Sequence, residues 1–238
     1  MAWATISPTA GTQAQGDFQV PDTTQREPLG TTITAVDPYW GTGKFVYLKS
    51  NDAVLKGSLV MWDETYQAAL LPNTTLQGFP FAVAMSPAAS GTYFWAQTEG
   101  RCVYKNSATV AADAAVAISA AGIGGASAAG KQLVNFRQRV SATGTVVKTG
   151  GTVNGTSVLT FTQGYDGFFL GMAITGTGIP ASSVVAVMDP DGKRFSIGSA
   201  IGTVDKLATA TGSTSITGTY TGFSSAIINN PFAQGAIT

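Results

Sequence analysis

The sequence contains no histidine and a single cysteine, and only 11% of its 238 residues are charged. Without histidine, every mechanism that needs an imidazole as base, nucleophile or metal ligand is excluded, including Ser-His-Asp and Cys-His arrangements. A lone cysteine, Cys102, can form neither an internal disulfide nor a multi-cysteine metal site. We interpret Cys102 as a small apolar residue inside a strand. We therefore expect no metal site and no cofactor.

The few charges of the chain balance each other. Lys plus Arg and Asp plus Glu each number 13, so the formal net charge is zero. The protein therefore has no net positive charge that would attract nucleic acid or an anionic membrane. No apolar run approaches the ~20 residues that cross a bilayer, and the N-terminus lacks the basic leader and apolar core of a secretory signal. A surface with so few charges is unusual for a free monomer, so we expect part of the surface to be buried in an assembly. We expect neither a nucleic-acid nor a membrane partner.

Carboxylate pairs are the remaining candidates for catalysis. Asp63 and Glu64 are adjacent in the chain, so in a strand they point to opposite faces. Paired-acid glycoside chemistry would need one of them to meet a distant acid such as Asp37 or Glu99. The segment GTGK at residues 41–44 lacks the first glycine of a phosphate-binding loop. These patterns favour a polar strand end and a protein that is not an enzyme.

Four short runs between residues 43 and 104 are rich in Val, Phe, Tyr and Trp. Segments with Gly, Pro, Asn, Asp or Ser separate them, which is typical of consecutive β-strands with tight connections. In the first and last runs both alternating faces are apolar, so we expect both faces to be covered, as in a barrel or sandwich. The runs are residues 44–48, 58–62, 80–84 and 92–97.

Residues 1–40 show little periodicity and contain four prolines. Such a segment cannot build its own core, so it is predicted to be an extended arm, with a disordered tail as the alternative. Its aromatic side chains are costly to leave in water, since each buries on the order of 150–250 Å² when packed. We expect the arm to dock on a neighbouring subunit, and the alternative is that it packs back on its own domain. These aromatic residues are Trp3, Phe18, Tyr39 and Trp40.

The chain from residue 108 to residue 140 is interpreted as two strands. A strand is predicted around residues 115–119, followed by a loop of small residues, and a short helix is the alternative. Residues 131–140 alternate imperfectly and form another predicted strand of the same domain.

At Ser141 the composition shifts to Thr, Gly and Val. The following strands predict a separate small β-sandwich or barrel, and an apolar run at residues 226–228 returns the chain to the first domain. We therefore predict an all-β protein of three parts: an extended arm at residues 1–40, a decoration domain that is a barrel or sandwich at 41–140 plus 221–238, and a small β-sandwich domain inserted at 141–220. The inserted strands are residues 157–162, 172–175, 183–188, 195–198 and 213–218.

Four segments follow one another between about residues 26 and 137: PLGTTITAVDPYWGTGKFVYLKS, GSLVMWDE, FAVAMSPAASGTYFWAQTEG and ATVAADAAVAIS. Their order resembles that of head decoration (cement) proteins of tailed bacteriophages. Over about residues 152–219, FFLGMAITGTGIP followed by SSVVAVM and RFSI resembles a recurrent β module appended to phage head and tail proteins.

These resemblances imply a structural virion protein, made in the host cytoplasm, that binds the outer surface of the capsid and stabilises contacts between neighbouring capsomers. The implied partners are the major capsid protein and other copies of the chain, as a homotrimer or alternatively a dimer. In the arm, we expect the aromatic residues to anchor the interface and Arg26 and Glu27 to set its register by pairing at the rim.

The second hypothesis is a glycan-binding or adhesive module on a phage head or tail. It places four aromatic side chains on one binding platform, although aromatics at strand spacing are more often core or subunit interface. The residues of this platform are Trp62, Tyr66, Tyr93 and Trp95.

Overall fold

A computed structural model of the protein describes residues 4–5, 18, 20–37, 41–107, 110–139, 143–165, 167–169, 171–189, 192–200 and 202–234. Its regular elements are strands, so the predicted all-β class is confirmed. No helix in these ranges is long and apolar enough to span a membrane. The chain divides into two compact units, a larger one of residues 3–143 plus 221–238 and a smaller one of residues 144–220.

Seventeen strands are observed in these ranges. In chain order they are β1 (Ala4–Thr5), β2 (Thr32–Asp37), β3 (Gly41–Ser50), β4 (Leu59–Trp62), β5 (Gln67–Leu70), β6 (Ala82–Ala84), β7 (Tyr93–Lys105), β8 (Ala115–Ala120), β9 (Ile123–Ala126), β10 (Gln132–Gln138), β11 (Thr143–Thr152), β12 (Val158–Thr160), β13 (Ala173–Thr175), β14 (Ser183–Met188), β15 (Arg194–Gly198), β16 (Gly212–Thr221) and β17 (Phe223–Ala233). Each of the four runs between residues 43 and 104 overlaps one of these strands, as predicted.

The larger unit contains a small closed barrel within an eleven-stranded sheet of order β1-β2-β3-β5-β4-β6-β7-β17-β10-β8-β9. Because β7 pairs with β3 as well as with β6, the strands β3, β5, β4, β6 and β7 form a ring. The β3–β5 pair is parallel and the other four pairs are antiparallel. The barrel interior is filled by Val46, Leu48, Val54, Val60, Ala68, Ala82, Ala84, Ala88, Phe94 and Ala96.

A second core lies outside this barrel. Strand β7 is 13 residues long and continues past the barrel to pair with β17, which pairs in turn with β10. Side chains alternate across a strand, so β4 and β6 present one set of residues to the barrel interior and the other set to this second core. The second core includes Leu59, Phe81, Val83, Cys102, Tyr104, Phe136 and Ile228.

Both faces of β3 and β7 are covered, as the apolar alternation predicts. Leu48 and Phe94 point into the barrel, whereas Tyr47 and Trp95 point to the opposite side, where their rings lie 5.0 Å apart. All four side chains are buried. Cys102 is also fully buried within β7, which confirms its interpretation as an apolar strand residue.

Residues 32–37, which the sequence placed in the arm, form strand β2 of the main sheet. Ile33 pairs with Phe45 in an antiparallel ladder with β3, and β1 adds to the other edge of β2. Ile33 and Ala35 are buried, whereas Thr32 is exposed. The period-two pattern is thus present, and the prolines at 28 and 38 flank the strand without interrupting its hydrogen bonds.

The predicted loop after residue 119 contains a further strand, β9, which forms a hairpin with β8. The sequence IGGA does not predict a strand, because glycine has a low strand propensity. Gly124 is nevertheless required, since a Cβ built there would lie 2.7 Å from the Tyr104 ring. Tertiary packing therefore decides this element.

The smaller unit is a closed barrel of order β11-β12-β15-β14-β13-β16, so the barrel alternative applies and not the sandwich. Its core is aromatic: the Phe161 ring lies 5.0 Å from Phe195 and 5.6 Å from Phe168. Strand β11 was not predicted, because its Thr- and Gly-rich sequence TGTVVKTGGT has little apolar alternation.

Candidate interaction surfaces

The structure describes three of the six arm residues expected at an interface: Phe18, Arg26 and Glu27. Phe18 is 1% exposed, and its ring centroid lies 4.7 Å from that of Phe45 and 5.6 Å from that of Trp95. This arrangement corresponds to the alternative in which the arm packs on its own domain. In this position Phe18 offers no surface to a partner. Trp3, Tyr39 and Trp40 lie outside the described residues.

The segment after Phe18 is held on the larger unit by Asp22. The Asp22 and Tyr93 backbones exchange two hydrogen bonds, of 2.8 and 2.9 Å, and the Tyr47 hydroxyl donates to Asp22 Oδ2 at 2.8 Å. Burial raises the pKa of Tyr47, which keeps this hydroxyl protonated as a donor. Arg26 Nε lies 3.0 Å from Asp22 Oδ1, so within the structure its ion pair is internal to the chain. Glu27 is half-buried beside it.

The exposed face of strands β7, β17 and β10, opposite the second core, is referred to below as the outer sheet face. Ile227 at its centre pairs with Arg101 on one side and with Arg137 on the other. Directly paired residues project from the same face, so the three side chains form a row across the sheet. Farther along, Phe232 pairs with Val134. Ile227 is 46% exposed and Phe232 is 37% exposed.

The charges of the outer sheet face are mainly positive near Ile227. A shallow groove of about 480 Å³ there is lined by Arg137, Arg139 and Ile227 among others. Arg139 forms an ion pair with Asp113, and Arg137 Nη1 donates to the Asp113 carbonyl at 3.2 Å. The result is an apolar centre with a cationic frame.

Sequence reasoning missed the outer sheet face because of a β-bulge. Residues 131–140 were expected to alternate, with Leu133 and Arg137 on one face. A register shift between Val134 and Phe136 instead turns Leu133 and Phe136 toward the core, and Val134 and Arg137 toward solvent. The imperfect alternation was the available signal, since a bulge adds one residue to a strand and reverses its faces.

The four aromatic residues of the proposed platform do not share one surface. Trp95 is 2% exposed and belongs to the core, and Tyr93 stacks on the buried Tyr47 at 6.1 Å. Trp62 and Tyr66, however, line one groove of about 480 Å³ in the larger unit, which we call the aromatic groove.

The structure describes the side chains of three of the four candidate acids, Asp63, Glu64 and Glu99. Asp63 Oδ1 accepts hydrogen bonds from the Thr65 backbone, the Thr65 hydroxyl and the Gln67 backbone, at 2.8, 2.7 and 3.0 Å. These donors stabilise the carboxylate and lower the pKa of Asp63. Glu64 is exposed in the same turn, and Glu99 is ion-paired to Lys44. Among the described residues, no three His, Cys, Asp or Glu side chains could hold a metal ion together.

Comparisons with known proteins give no relative from which a function could be transferred. No family model matches the sequence, and neither a curated protein nor a solved structure matches the chain. Function therefore has to be inferred from the residues of this protein.

Proposed function

We propose that this protein is a structural component of a phage virion that binds the outer surface of the capsid and stabilises contacts between neighbouring capsomers. The main support is the outer sheet face, where Ile227 is half-exposed between Arg101 and Arg137. The solvent face of an antiparallel sheet is usually polar. An apolar centre framed by arginine is typical of protein interfaces, where arginine and buried apolar anchors supply most of the binding free energy.

The proposed partner is the major capsid protein, through a surface that carries carboxylates. Arginine binds carboxylates in a bidentate geometry, and a cationic frame excludes basic partners by repulsion. The low charge content of the chain, 11%, and the resemblance over residues 26–137 also favour this function. The proposal includes no catalysis, no cofactor and no direct contact with nucleic acid or membrane.

We expect the protein to act as a homotrimer, with a dimer that bridges two capsomers as the alternative. Decoration proteins of this kind often occupy threefold positions, and weakly charged surfaces suit close packing between copies. Light scattering at several protein concentrations distinguishes these states. A monomer mass at high concentration, together with monomers on the particle, would exclude both.

Cosedimentation with emptied capsids tests the proposed interface. We expect Ile227→Asp, and separately the double variant Arg101→Glu/Arg137→Glu, to weaken binding by at least about tenfold, which is about 1.4 kcal/mol. The matched control is Leu207→Asp, since Leu207 is 54% exposed but lies in the smaller unit. Circular dichroism should show that all variants remain folded, because the substituted side chains are at least partly exposed.

Two outcomes would overturn the proposal. The first is a wild-type protein that stays in the supernatant when capsids are pelleted. The second is binding by folded Ile227→Asp and Arg101→Glu/Arg137→Glu proteins that equals wild-type binding.

A further inference from the structure

The aromatic groove combines two aromatic walls with a polar wall. Trp62 is the last residue of β4, and Tyr66 precedes β5, so both side chains belong to one hairpin. Lys44, Glu99 and Asn230 line the same groove from β3, β7 and β17. The long-range pairing of the larger unit thus brings residues that are far apart in the sequence, such as Lys44 and Asn230, to one groove.

Tyr66 is held in a defined position by its turn and by Gly30. Its backbone has a φ of 60°, its N–H donates to the Asp63 carbonyl at 3.0 Å, and Asp63 caps the turn through the three hydrogen bonds described above. A Cβ on Gly30 would lie 2.3 Å from Cζ of Tyr66, so the ring packs against a backbone position that only glycine allows. Tyr66 remains 38% exposed. The groove therefore has an ordered aromatic wall that is open to a ligand.

The polar wall is an electroneutral cluster. Glu99 Oε1 accepts from Lys44 Nζ at 2.9 Å and from Asn230 Nδ2 at 2.7 Å. Both contacts fall on Oε1, and a carboxylate has a second oxygen that can accept a hydrogen bond from a ligand hydroxyl. The Asn230 amide oxygen and the remaining Lys44 N–H groups add an acceptor and donors. The opposite charges of Lys44 and Glu99 cancel.

We infer that the aromatic groove is a carbohydrate-binding site for a neutral hexose unit of a glycan. A pyranose ring has an apolar C–H face that packs on an aromatic ring, and a rim of hydroxyls that both donate and accept hydrogen bonds. Tyrosine and tryptophan offer the apolar surface with a polar edge, and the Lys44–Glu99–Asn230 cluster offers donors and acceptors together. The volume of about 480 Å³ falls in the range of small-ligand sites. Because the cluster is neutral, a charged sugar gains no ion pair there.

Glycan binding at the aromatic groove is a second function beside attachment to the capsid, and it depends on different residues. A virion surface protein with this site could hold the particle on a glycan-covered cell. Failure of the capsid test leaves the carbohydrate site intact, and the reverse also holds, since Ile227 and Arg101 do not line the aromatic groove.

The test uses the full-length protein and an array of defined neutral oligosaccharides of glucose, galactose, mannose and N-acetylglucosamine, with sialylated and uronic-acid glycans beside them. We expect wild-type protein to bind at least one neutral class. Tyr66→Ala and Trp62→Ala should each weaken that binding by at least about tenfold, as expected for truncation of an aromatic anchor. Tyr66→Phe retains the ring and should bind nearly as wild type.

Phe79→Ala is the control, because Phe79 is an exposed aromatic that does not line the groove. Trp62 also packs against the barrel core, so the two Tyr66 variants decide the question if Trp62→Ala fails to fold. The inference is overturned if no neutral oligosaccharide binds the wild type at millimolar concentration in saturation-transfer NMR. Equal binding by Tyr66→Ala and wild type, or a preference for the acidic glycans, would overturn it as well.

Discussion

Phe18 is the residue that joins the N-terminal segment to the core of the larger unit. Its two direct neighbours in the sequence, Asp17 and Gln19, are polar, yet it completes an aromatic cluster with Phe45 and Trp95. A buried aromatic of this kind contributes through its large contact area. The same cluster includes Tyr47, whose hydroxyl binds Asp22, so apolar packing and a buried hydrogen bond act on the same stretch of chain.

We expect Phe18→Ala to lower the free energy of unfolding by about 3–5 kcal/mol, because the change leaves a cavity against Phe45 and Trp95. Trp62 and Trp95 lie in the described part of the larger unit, and the sequence of residues 144–220 contains no tryptophan, so denaturation followed by tryptophan fluorescence reports on the larger unit. Val20→Ala is the matched control, since Val20 is exposed and should change stability by less than about 0.5 kcal/mol. A Phe18→Ala protein as stable as wild type would contradict this role.

Lys56 is a second residue whose environment has a measurable consequence. It lies in the connection from β3 to β4 and is buried. This burial lowers the pKa of Lys56 from 10.5 to about 7. Between these two pH values the unfolded chain binds a proton that the folded chain does not bind. The free energy of unfolding therefore rises with pH in this window, by at most about 1.4 kcal/mol per pH unit.

Urea denaturation between pH 7 and about 8.5 checks this slope. Above that range the thiol of Cys102 opposes the rise in the free energy of unfolding. Burial raises the pKa of Cys102, so with increasing pH the thiol loses its proton in the unfolded chain before it does so in the folded chain. Lys56→Met should remove the rise, whereas Lys131→Met, at a partly exposed position, should retain it. The prediction fails if wild type and Lys56→Met show the same pH dependence.

At the scale of elements, β10 and β17 are the strands of the larger unit that precede and follow the smaller unit in the chain. They are antiparallel neighbours, and the Arg139 N–H donates to the Ser225 carbonyl at 2.8 Å. A buried cluster of Gln138, Asn106 and Ser224 lies at the same end of the two strands. Residues 139 and 225, which lie close in sequence to the two ends of the smaller unit, are thus held side by side by the larger unit itself.

Deletion of residues 143–220, with a short Gly-Ser linker in their place, should convert β10 and β17 into a hairpin. We expect the larger unit to retain a cooperative unfolding transition, because closing a short loop between paired strands costs little. The control is deletion of residues 115–130, which removes Val116 and Ile118 from the second core and should abolish the transition. Loss of the transition in the first deletion would contradict the prediction that residues 141–220 are an inserted domain.

At the scale of the whole molecule, the predicted roles of the arm and the smaller unit differ. The aromatic residues Trp3, Tyr39 and Trp40 remain candidate anchors, whereas the smaller unit has a largely Thr-, Ser- and Gly-rich sequence. Ordering an arm costs roughly 1–2 kcal/mol per residue in backbone entropy, which buried aromatics must offset at about 25 cal/mol per Å². We therefore expect the binding free energy to be concentrated at few positions.

Removal of residues 1–17 should weaken capsid binding far more than removal of residues 143–220. The cut is made before Phe18, because removal of residues 1–25 would also eliminate Phe18 and Asp22 and so destabilise the larger unit. Occupancy on emptied particles, measured by quantitative gel after sedimentation, compares the two truncations. Equal occupancy by both proteins, with both folded, would show that the first 17 residues are not an anchor.

Local pattern was sufficient to predict most strands. Four consecutive large apolar residues, Phe45 to Leu48, predict a strand with two covered faces. Side chains alternate between the two faces of a strand, so both faces are apolar here and each needs a packing partner. The composition change at Ser141 likewise indicates a new unit. The local pattern did not predict β9 and β11, where glycine and threonine replace apolar residues. It also did not predict β2, because the flanking prolines led us to assign its alternating residues to the arm.

The sequence by itself determined the all-β class, the absence of histidine chemistry and the burial of Cys102, since these depend on composition and on neighbours one or two residues apart. Only the tertiary structure decided which residues share a surface. Arg101, Ile227 and Arg137 lie in one row because three strands pair in one register. Trp62, Glu99 and Asn230 line one groove because β7 closes the ring with β3 and also pairs with β17. Register between distant strands is set by the sum of many weak side-chain contacts across the sheet, and that sum does not appear in any short stretch of sequence.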